Sequence, residues 1–477
     1  MSKPFFITTA IDYVNGVPHV GHASEKVLSD AVARYHRDVL GEETYFLTGT
    51  DENSLKNVQG AEKAGKPVTE YVSENAEAFR SLGESLGLSF DRFIRTTEDV
   101  HFSGAKKFWS AMDPADLYKK SYSGLYCVGC EEFKLEKDLV DGKCPEHCKE
   151  PEIVEEENWF FRLSAYGDRL KALIESGEMR IVPEFRKNEV LSFIEMGLAD
   201  FSVSRSVARA KGWGVPVPGD ESQIMYVWVD ALSNYITALD YAGNGEAYRK
   251  YWAGEGGRVH VIGKGILRFH AIYWPAMLLS AKLPLPTEIY AHEYLTIDGA
   301  KMSKSLGNVL YPGELVERFG KDGARYLLLT ALPYSKDGDL SWAKMTEKYN
   351  ADLANGLGNL VSRVMRLSEG LDDDMKKIAE IPTYPDDVAK LIDSYRFTEA
   401  LEKIWETVRE ANRYIEEEKP WELAKTDRER FVGVMHVLLD RLAFLSVALV
   451  PFLPDTAAKI RAALETGKTE ILFQRVR

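Results

Sequence analysis

Long apolar runs are missing from this 477-residue chain. The longest, residues 442–453, is interrupted by Ser446 and Pro451, whereas a membrane-spanning helix needs about 18 or more apolar residues. Residues 1–13 also lack the basic flank, the long apolar stretch and the small-residue cleavage site of a signal peptide. The sequence therefore predicts a soluble, cytoplasmic protein with no membrane partner.

Basic residues are too few to coat the surface. Lys and Arg total 60 against 74 Asp and Glu, so the net charge is −14. This balance argues against nonspecific, charge-driven binding of nucleic acid. Local basic patches and specific base contacts are still compatible with an acidic protein, so any RNA recognition should depend on a few residues.

Cysteine is also scarce, and the four cysteines lie in one short segment. Cys127 and Cys130 form a CxxC pair, and after thirteen intervening residues Cys144 and His147 form a CxxH pair. This spacing is typical of a tetrahedral structural zinc site. Cys148 is an alternative fourth ligand, buried reduced cysteines are the alternative to a metal, and a secreted protein would instead form disulfides.

Strand and helix patterns alternate at two places in the chain. Such βαβ units build an open parallel sheet of the Rossmann type, which binds ligands at the carboxyl ends of its strands. The predicted fold class is therefore α/β, with the sheet split by an insertion. The predicted elements are strands at 5–10, 44–47, 259–263 and 289–291, and helices at 25–40 and 266–281.

From about residue 345 the pattern becomes entirely helical. Apolar residues recur at spacings of three and four over residues 353–366, 394–418 and 428–450, which predicts an antiparallel helix bundle. The predicted organisation is residues 1–115 and 214–325 for the two halves of the sheet domain, with a lysine-rich loop to about 310; 116–213 for the insertion; 326–344 for a junction; and 345–477 for the bundle.

Two short strings place cationic groups beside glycine or serine, which suits contact with phosphate. Residues 19–22, His-Val-Gly-His, lie where a loop is predicted to enter a helix, whose N-terminus favours anions. Residues 301–305, Lys-Met-Ser-Lys-Ser, supply ammonium groups and hydroxyls. Taken alone, the first string also suits histidines that cap a helix, and the second a solvated basic loop. Together they predict one ATP site.

These two strings, in this order, resemble the signatures of class I aminoacyl-tRNA synthetases. Residues 10–16, 49–52, 226–235 and 269–270 further resemble the methionyl-tRNA synthetase family, and the likeness covers nearly the entire chain. It implies an enzyme that activates L-methionine with ATP and magnesium, releases pyrophosphate from methionyl-adenylate formation, and transfers the methionyl group to the 3′-terminal adenosine of tRNA(Met). A monomer with one structural zinc ion is expected.

The resemblance also implies roles for individual residues. The catalytic residues are His19, His22, Lys301 and Lys304, with Lys304 stabilising the transition state. The ATP contacts are Gly21, Gly263, Lys301, Ser303, Lys304 and Ser305. The methionine contacts are Ile11, Tyr13, Asp51, Trp228, Ala231, Tyr235 and His270, which offer a carboxylate to the α-amino group and aromatic faces to the thioether. The zinc ligands are Cys127, Cys130, Cys144 and His147, and the anticodon contacts are Asn359, Arg363 and Trp421.

The chain departs from the family pattern at three places. Asp12 replaces a proline before the pocket tyrosine, Asn53-Ser54 replaces His-Gly after residues 49–52, and Gly265 stands where Gly-Lys is normally followed by aspartate. The last departure removes the expected ribose contact, which Asp230 or a local rearrangement would have to replace.

Three alternative functions share part of this pattern. A class I enzyme for a branched amino acid would typically carry a far larger editing insertion. A nucleotidyltransferase that forms an adenylate without tRNA would lack the lysine string paired with a C-terminal helix bundle. A catalytically dead tRNA-binding module would not be expected to keep the histidines and lysines of both strings.

Overall fold

The computed structural model describes residues 3–127, 132–134, 136–145, 148–302, 307–371 and 382–477. The chain divides into two compact units. Unit 1 comprises residues 1–17, 44–81 and 90–291, and unit 2 comprises residues 18–43, 82–89 and 292–477. Each unit is therefore assembled from segments that are far apart in the sequence.

The strands belong to both units. They are β1 Phe5–Thr9, β2 Asp12–Tyr13, β3 Thr44–Asp51, β4 Arg92–Arg95, β5 Leu117–Cys127, β6 Glu132–Lys134, β7 Glu152–Phe161, β8 Arg180–Val182, β9 Phe201–Ser202, β10 Ser204–Ser206, β11 Pro216–Val217, β12 Asp220–Met225, β13 Gly257–Gly263, β14 Glu288–His292, β15 Leu295–Ile297, β16 Ala300–Lys301 and β17 Gly338–Leu340.

The α-helices are α1 Val20–Arg34, α2 Leu55–Ala64, α3 Val68–Arg80, α4 Leu82–Ser85, α5 Asp99–Ala111, α6 Gly167–Ser176, α7 Glu184–Glu195, α8 Val227–Thr237, α9 Trp274–Ser280, α10 Pro312–Phe319, α11 Lys321–Thr330, α12 Trp342–Lys348, α13 Asn359–Ser368, α14 Asp386–Ile392, α15 Phe397–Glu418, α16 Pro420–Thr426, α17 Arg428–Ala448 and α18 Pro454–Thr466. Wider π-helical turns extend α1 over Tyr35–Val39, precede α9 over Phe269–Tyr273 and precede α13 over Tyr349–Gly358.

Unit 1 is built around a seven-stranded sheet in the order β2-β3-β1-β13-β14-β8, with β4 paired to β3. The pairs β1–β3, β1–β13, β2–β3, β3–β4 and β8–β14 all run parallel. Strand β1 is buried at every residue, as a strand covered on both faces should be. The predicted parallel sheet is therefore confirmed.

The four predicted strands are present as β1, β3, β13 and β14, but β2, β4 and β8 also join the sheet. Strand β8 lies inside the segment that the sequence assigns to the insertion, and it pairs with β14 from Arg180 and Glu288 onward. A strand of three residues is too short to show a periodic pattern, so only its pairing reveals it. The predicted domain limits stay a prediction.

An antiparallel sheet of four strands, in the order β6-β5-β7-β9, lies between β4 and β10 in the sequence. Strands β5 and β7 pair from Leu117 and Phe161 to Tyr126 and Glu152. Cys127 is the last residue of β5. The predicted zinc-binding segment therefore begins where strand β5 of this sheet ends.

A buried ion pair anchors α1 within unit 2. The Asp30 carboxylate lies 2.8 Å from the Arg325 guanidinium, and both side chains are fully buried. Asp30 also accepts hydrogen bonds from Arg34 Nε at 2.8 Å and from the Ser89 amide at 2.6 Å. Burial raises the pKa of Asp30, but the charges of Arg325 and Arg34 and the hydrogen bonds from Ser89 outweigh it, so this pKa lies below its usual value. Arg325 further donates to three backbone carbonyls, those of Leu86, Pro451 and Phe452.

The helical C-terminal region is confirmed. Helix α15 buries side chains at spacings of three and four, which is the pattern that predicts it: Phe397, Ala400, Leu401, Ile404, Trp405, Val408, Ala411 and Ile415. Among the described helices, only α17 is long and apolar enough to cross a membrane. More than half of its most apolar stretch is buried, as in a core helix, so this helix does not indicate a membrane protein.

Candidate functional site

The first histidine motif caps helix α1. The Nδ1 atom of His19, the N-cap residue, accepts from the amide of Gly21 at 3.1 Å, and Nδ1 of His22 accepts from the amide of His19 at 3.1 Å. The two rings stack with their centroids 3.7 Å apart. Because each Nδ1 accepts, each neutral ring carries its proton on Nε2, where it suits donation to a phosphate oxygen. Capping and phosphate contact are therefore compatible, and the cap starts the helix at Val20, earlier than predicted.

Gly21 lies where the two motifs approach each other within unit 2. A Cβ atom added at Gly21 would lie 2.9 Å from Cε1 of His19 and 3.3 Å from Cε of Met302. The amide of Val20 also donates to the carbonyl of Leu310 at 3.0 Å, beyond the lysine motif. The structure thus brings the histidine motif against Met302 of the lysine motif and against Leu310, which follows that motif.

The lysine motif begins at a tight hairpin. Asp298 and Gly299, with φ of 51° and 74°, join β15 to β16, and the exposed Lys301 ends β16. Asp339 fixes this turn, because its carboxylate accepts from the amide of Gly299 at 2.7 Å. Ser303, Lys304 and Ser305 lie outside the described residues, so their predicted roles stay predictions.

Tyr235 and His270, both predicted methionine contacts, form one hydrogen-bonded pair in unit 1. The Tyr235 hydroxyl lies 2.7 Å from Nε2 of His270, and Nδ1 of His270 lies 2.9 Å from the carbonyl of Ile266. A carbonyl only accepts, so Nδ1 carries the proton and Nε2 accepts from the tyrosine hydroxyl. These two hydrogen bonds fix the orientation of both rings.

His260 packs against the same pair. Its ring stacks on Tyr235 with centroids 4.0 Å apart, and its Nδ1 lies 2.9 Å from the hydroxyl of Thr8. Burial is the main reason why the pKa of His260 lies well below its usual value, and the charge of Arg258 lowers it further. The ring is therefore neutral at pH 7, and the sequence alone did not mark it.

Three of the five other predicted methionine contacts, Ile11, Tyr13 and Trp228, pack on the hydrophobic cluster that contains Tyr235. Trp228 stacks on Phe269 with ring centroids 3.9 Å apart and planes 5° from parallel. Tyr13 and the buried Asp51 face each other in the register of β2 and β3, at the carboxyl end of β3. The cluster includes or contacts the predicted residues Ile11, Tyr13, Trp228 and Tyr235, and Ala231 and His270 are buried close by in sequence. Together these rings can accommodate an apolar, polarisable side chain.

Asp230 is held inside unit 1 by two hydrogen bonds. Its Oδ1 lies 2.5 Å from Nε2 of His101, and its Oδ2 accepts from Nδ2 of Asn53 at 2.8 Å. The departure at Asn53 thus provides a donor for Asp230. Gly263 ends β13, and Gly265 follows in a 3-10 turn that carries no carboxylate. Each oxygen of Asp230 accepts one of these hydrogen bonds, and a carboxylate oxygen can accept a second, so Asp230 keeps acceptor capacity for a ribose hydroxyl.

The cysteine segment is described only in part. Cys127 and Cys144 are buried and Cys148 is exposed, and these three are not joined by disulfides. Cys130 and His147 lie outside the described residues. In the part of the chain that is described, no three His, Cys, Asp or Glu residues are grouped to hold a metal ion. Two buried thiols fit the soft ligands that zinc prefers, so zinc stays a prediction.

Two of the three predicted anticodon contacts meet in the C-terminal helices. The guanidinium of Arg363 lies 5.8 Å from the ring centroid of Trp421, which is 39% exposed, and 2.7 Å from the carboxylate of Glu416. Asn359 is exposed one turn before Arg363 on α13. A half-exposed indole beside a cation is suited to stacking on an unpaired base, and an exposed amide is suited to hydrogen bonding with a base edge.

Two family models match the chain. The model described as "tRNA synthetases class I (M)" matches residues 5–151 and 147–365, and "Anticodon binding domain of methionyl tRNA ligase" matches residues 368–474. Trp421 lies within the second match, whereas Asn359 and Arg363 lie at the end of the first. The two matches therefore meet at residues 365–368, whereas the helix bundle is predicted to start at residue 345.

Curated proteins and solved structures agree with these matches. The chain is 43% identical to a methionine–tRNA ligase of Caldanaerobacter subterraneus subsp. tengcongensis, covering 99% of this chain and 75% of that protein, and 43% identical to the Brucella suis methionine–tRNA ligase, covering 96% and 91%. A Mycobacterium tuberculosis methionyl-tRNA synthetase structure bound by methionyl-adenylate matches with a TM-score of 0.88 and 39% identity, covering 96% of this chain and 94% of that one. The chain belongs to the class I methionyl-tRNA synthetase family.

Proposed function

We propose that the protein is a methionine–tRNA ligase. It activates L-methionine with ATP to give methionyl-adenylate and pyrophosphate, and it then transfers the methionyl group to the 3′-terminal adenosine of tRNA(Met). The observation that carries this proposal is the approach of the histidine motif to Met302 of the lysine motif and to Leu310 beyond it, in a chain that is 43% identical to methionine–tRNA ligases over almost its full length.

The ATP chemistry is assigned to groups in unit 2. His19 and His22 donate from Nε2 to phosphate oxygens as the α-phosphate is attacked, and the N-terminal dipole of α1 adds to the favourable field. Lys301 and Lys304 neutralise the leaving pyrophosphate. Such groups accelerate the reaction because they are oriented before the charge develops, so water need not reorganise.

Methionine recognition is assigned to unit 1. The Asp51 carboxylate pairs with the α-amino group, while Tyr13, Trp228 and Tyr235 enclose the thioether. His270 acts through Tyr235, because its Nε2 accepts a hydrogen bond from the tyrosine hydroxyl and so fixes the orientation of the phenol ring. One missing methyl-sized group costs about 1–3 kcal/mol in such a pocket, so rejection of shorter analogues by binding alone should be modest.

Two metal ions belong to the proposal. Cys127, Cys130, Cys144 and His147 would hold one zinc ion, and the burial of two of these thiols supports such a site. Zinc with four protein ligands would stabilise the fold of this segment. Magnesium would accompany ATP. Metal analysis of the purified protein should give about one zinc per chain, and an absence of zinc would refute the site.

tRNA recognition is assigned to the C-terminal helices, where Trp421 stacks on an anticodon base and Asn359 and Arg363 contact base edges. Because Arg363 also pairs with Glu416, binding of RNA has to compete with this carboxylate. We further propose that the enzyme acts as a monomer in the cytoplasm, which light scattering and cell fractionation would test.

Amino-acid-dependent exchange of pyrophosphate into ATP tests the proposal directly. Methionine alone among the twenty amino acids should stimulate exchange, and Lys301→Met should slow it by at least about tenfold, since the charge is lost from the leaving-group side. Lys171→Met, which removes an exposed lysine of unit 1 paired with Glu195, is the matched control. Stimulation by another amino acid, or equal rates for both variants, would refute the assignment.

A further inference from the structure

A buried carboxylate–imidazole pair joins the two ATP-binding segments of unit 2. The carboxylate of Glu25 lies 2.9 Å from Nε2 of His292, and the two side chains are only 9% and 8% exposed. Glu25 lies on α1, and His292 is the last residue of β14. The two residues are 267 positions apart in the sequence, and none of the motifs includes either of them.

Glu25 is placed to control the histidine motif. It follows His22 by three residues on α1, so the two lie on the same face one turn apart. A change in the position of the Glu25 carboxylate therefore changes the position of the first turn of α1. His19 and His22 cap the helix at this turn through their ring nitrogens.

His292 is placed to control the lysine motif. Two residues separate it from β15, and β15 pairs with β16 so that Thr296 faces Lys301. The hairpin is stiffened from its other side, because β15 also pairs with β17 and the carboxylate of Asp339 accepts from the hydroxyl of Thr296 at 2.8 Å. Because the hairpin is rigid, the position of His292 determines the position of Lys301.

The hydrogen bonds of His292 hold its ring in one orientation. Its Nδ1 lies 2.8 Å from the carbonyl of Glu293, and its Nε2 faces Glu25, so both nitrogens face acceptors. Burial lowers the pKa of His292, but the hydrogen bond and charge of Glu25 and the carbonyl and charge of Glu293 outweigh it and raise the pKa. An imidazolium that donates two hydrogen bonds gives a stronger and more directional link than a neutral ring.

We propose that Glu25 and His292 are positioning residues, which keep the histidine motif and the lysine hairpin in the relative position that adenylate formation requires. This inference rests on the proposed function, because it assigns both segments to ATP. Neither side chain needs to touch the substrate: the pair acts through α1 on one side and through β15 and β16 on the other. Loss of the pair should slow the chemical step and leave the methionine pocket in unit 1 unaffected.

The test uses His292→Phe, which keeps an aromatic ring and removes both donors. Methionyl-adenylate formation is measured in a single turnover and normalised to active sites by the pyrophosphate burst, so unfolded protein does not count. The rate per site should fall by at least about tenfold, because a shift of about 1 Å in catalytic groups can cost about 100-fold. The KM for methionine should change by less than about twofold, since a residue that acts only on the transition state leaves it unaltered.

Two further variants separate positioning from stability. His36→Phe breaks a second histidine–glutamate contact, at 2.7 Å between His36, in the π-helical turn after α1, and Glu42, and it should keep the parent rate per site. Glu25→Gln combined with His292→Phe removes the buried charge that the single variant leaves without its imidazolium, so it should regain thermal stability while its rate per site stays low.

The outcomes are distinct. If the double variant regains both stability and rate, the pair is merely structural and the inference is wrong. It is equally wrong if His292→Phe retains the parent rate per site. Failure of the parent protein and His36→Phe to form adenylate at all would instead refute the proposed function.

Discussion

Arg325→Met should be among the most destabilising substitutions in unit 2. Arg325 is fully buried, and it pairs with the fully buried Asp30 at 2.8 Å. Removing one partner of a buried ion pair costs about 3–5 kcal/mol when the remaining charge has no other partner. Arg34 and Ser89 still compensate part of the Asp30 charge, so the loss should lie near the lower end of this range. The backbone carbonyls that accept from the same guanidinium add to this cost. Set against a typical stability of about 5–15 kcal/mol, this is a large fraction.

Urea denaturation followed by circular dichroism measures this loss of unfolding free energy. Lys66→Met is the matched control, since Lys66 pairs with Glu74 at the surface of unit 1 and such pairs are worth at most about 1 kcal/mol. Asp30→Asn combined with Arg325→Met should recover part of the loss, because no buried charge remains. A loss below about 1 kcal/mol for Arg325→Met, equal to that of the control, would refute the reasoning.

The pH dependence provides a second check. The folded-state pKa of Asp30 lies below its usual value, so its contribution to stability is fully present above the unfolded-state pKa of about 3.9 and is lost as the pH falls through the lower, folded-state pKa. The difference in unfolding free energy between the parent and Arg325→Met should therefore shrink below about pH 4. A difference that does not depend on pH would contradict an electrostatic origin.

Three further predictions concern the proposed sites. Tyr235→Phe leaves Nε2 of the buried His270 without its donor, so the KM for methionine should rise about 5–30-fold, the equivalent of about 1–2 kcal/mol; an unchanged KM would separate this pair from methionine binding. Gly21→Ala places a Cβ within 3.0 Å of the His19 ring, so pyrophosphate exchange should slow while the melting temperature changes little. A parent rate would show that the cap tolerates a methyl group. Trp421→Ala should raise the KM for tRNA by a factor that corresponds to the loss of one stacked base, about 1–3 kcal/mol, and should leave pyrophosphate exchange near normal. Equal loss in both assays would indicate a folding role.

Local pattern was enough to predict the main elements of the fold. Residues 5–9 and 257–263 form strands because short apolar runs suit the interior of a parallel sheet, and residues 397–418 form a helix because their apolar positions recur every three or four residues. The helix predicted from residue 25 starts at Val20, because His19 supplies the cap with a ring nitrogen instead of one of the usual short polar side chains.

Pairings between distant residues could not be predicted from the sequence. The bond between His101 and Asp230 joins positions 129 apart, and the bond between Glu25 and His292 joins positions 267 apart. A single histidine or glutamate on a helix has no local signal that separates it from an ordinary side chain. Only the folded chain shows that these groups are buried and face each other.

The candidate site also has a part that the sequence predicts and a part that only the fold determines. The motifs identify residues 19–22, 301–305 and Tyr235 without any structure, because their residue types and spacing are themselves the signal. The tautomer of His270, the neutral state of His260 and the hydrogen bonds of Asp230 depend on partners that the fold supplies. These details determine how the groups can act, although they do not change which residues were selected.

Charging of tRNA(Met) with methionine tests the central claim most directly. Purified protein, ATP, magnesium, labelled methionine and tRNA(Met) should give an acid-precipitable product that alkaline hydrolysis of the ester removes. A tRNA with a different anticodon should be charged poorly, because the C-terminal helices are assigned to anticodon recognition. Charging with an amino acid other than methionine, or adenylate formation without any transfer to tRNA(Met), would contradict the account.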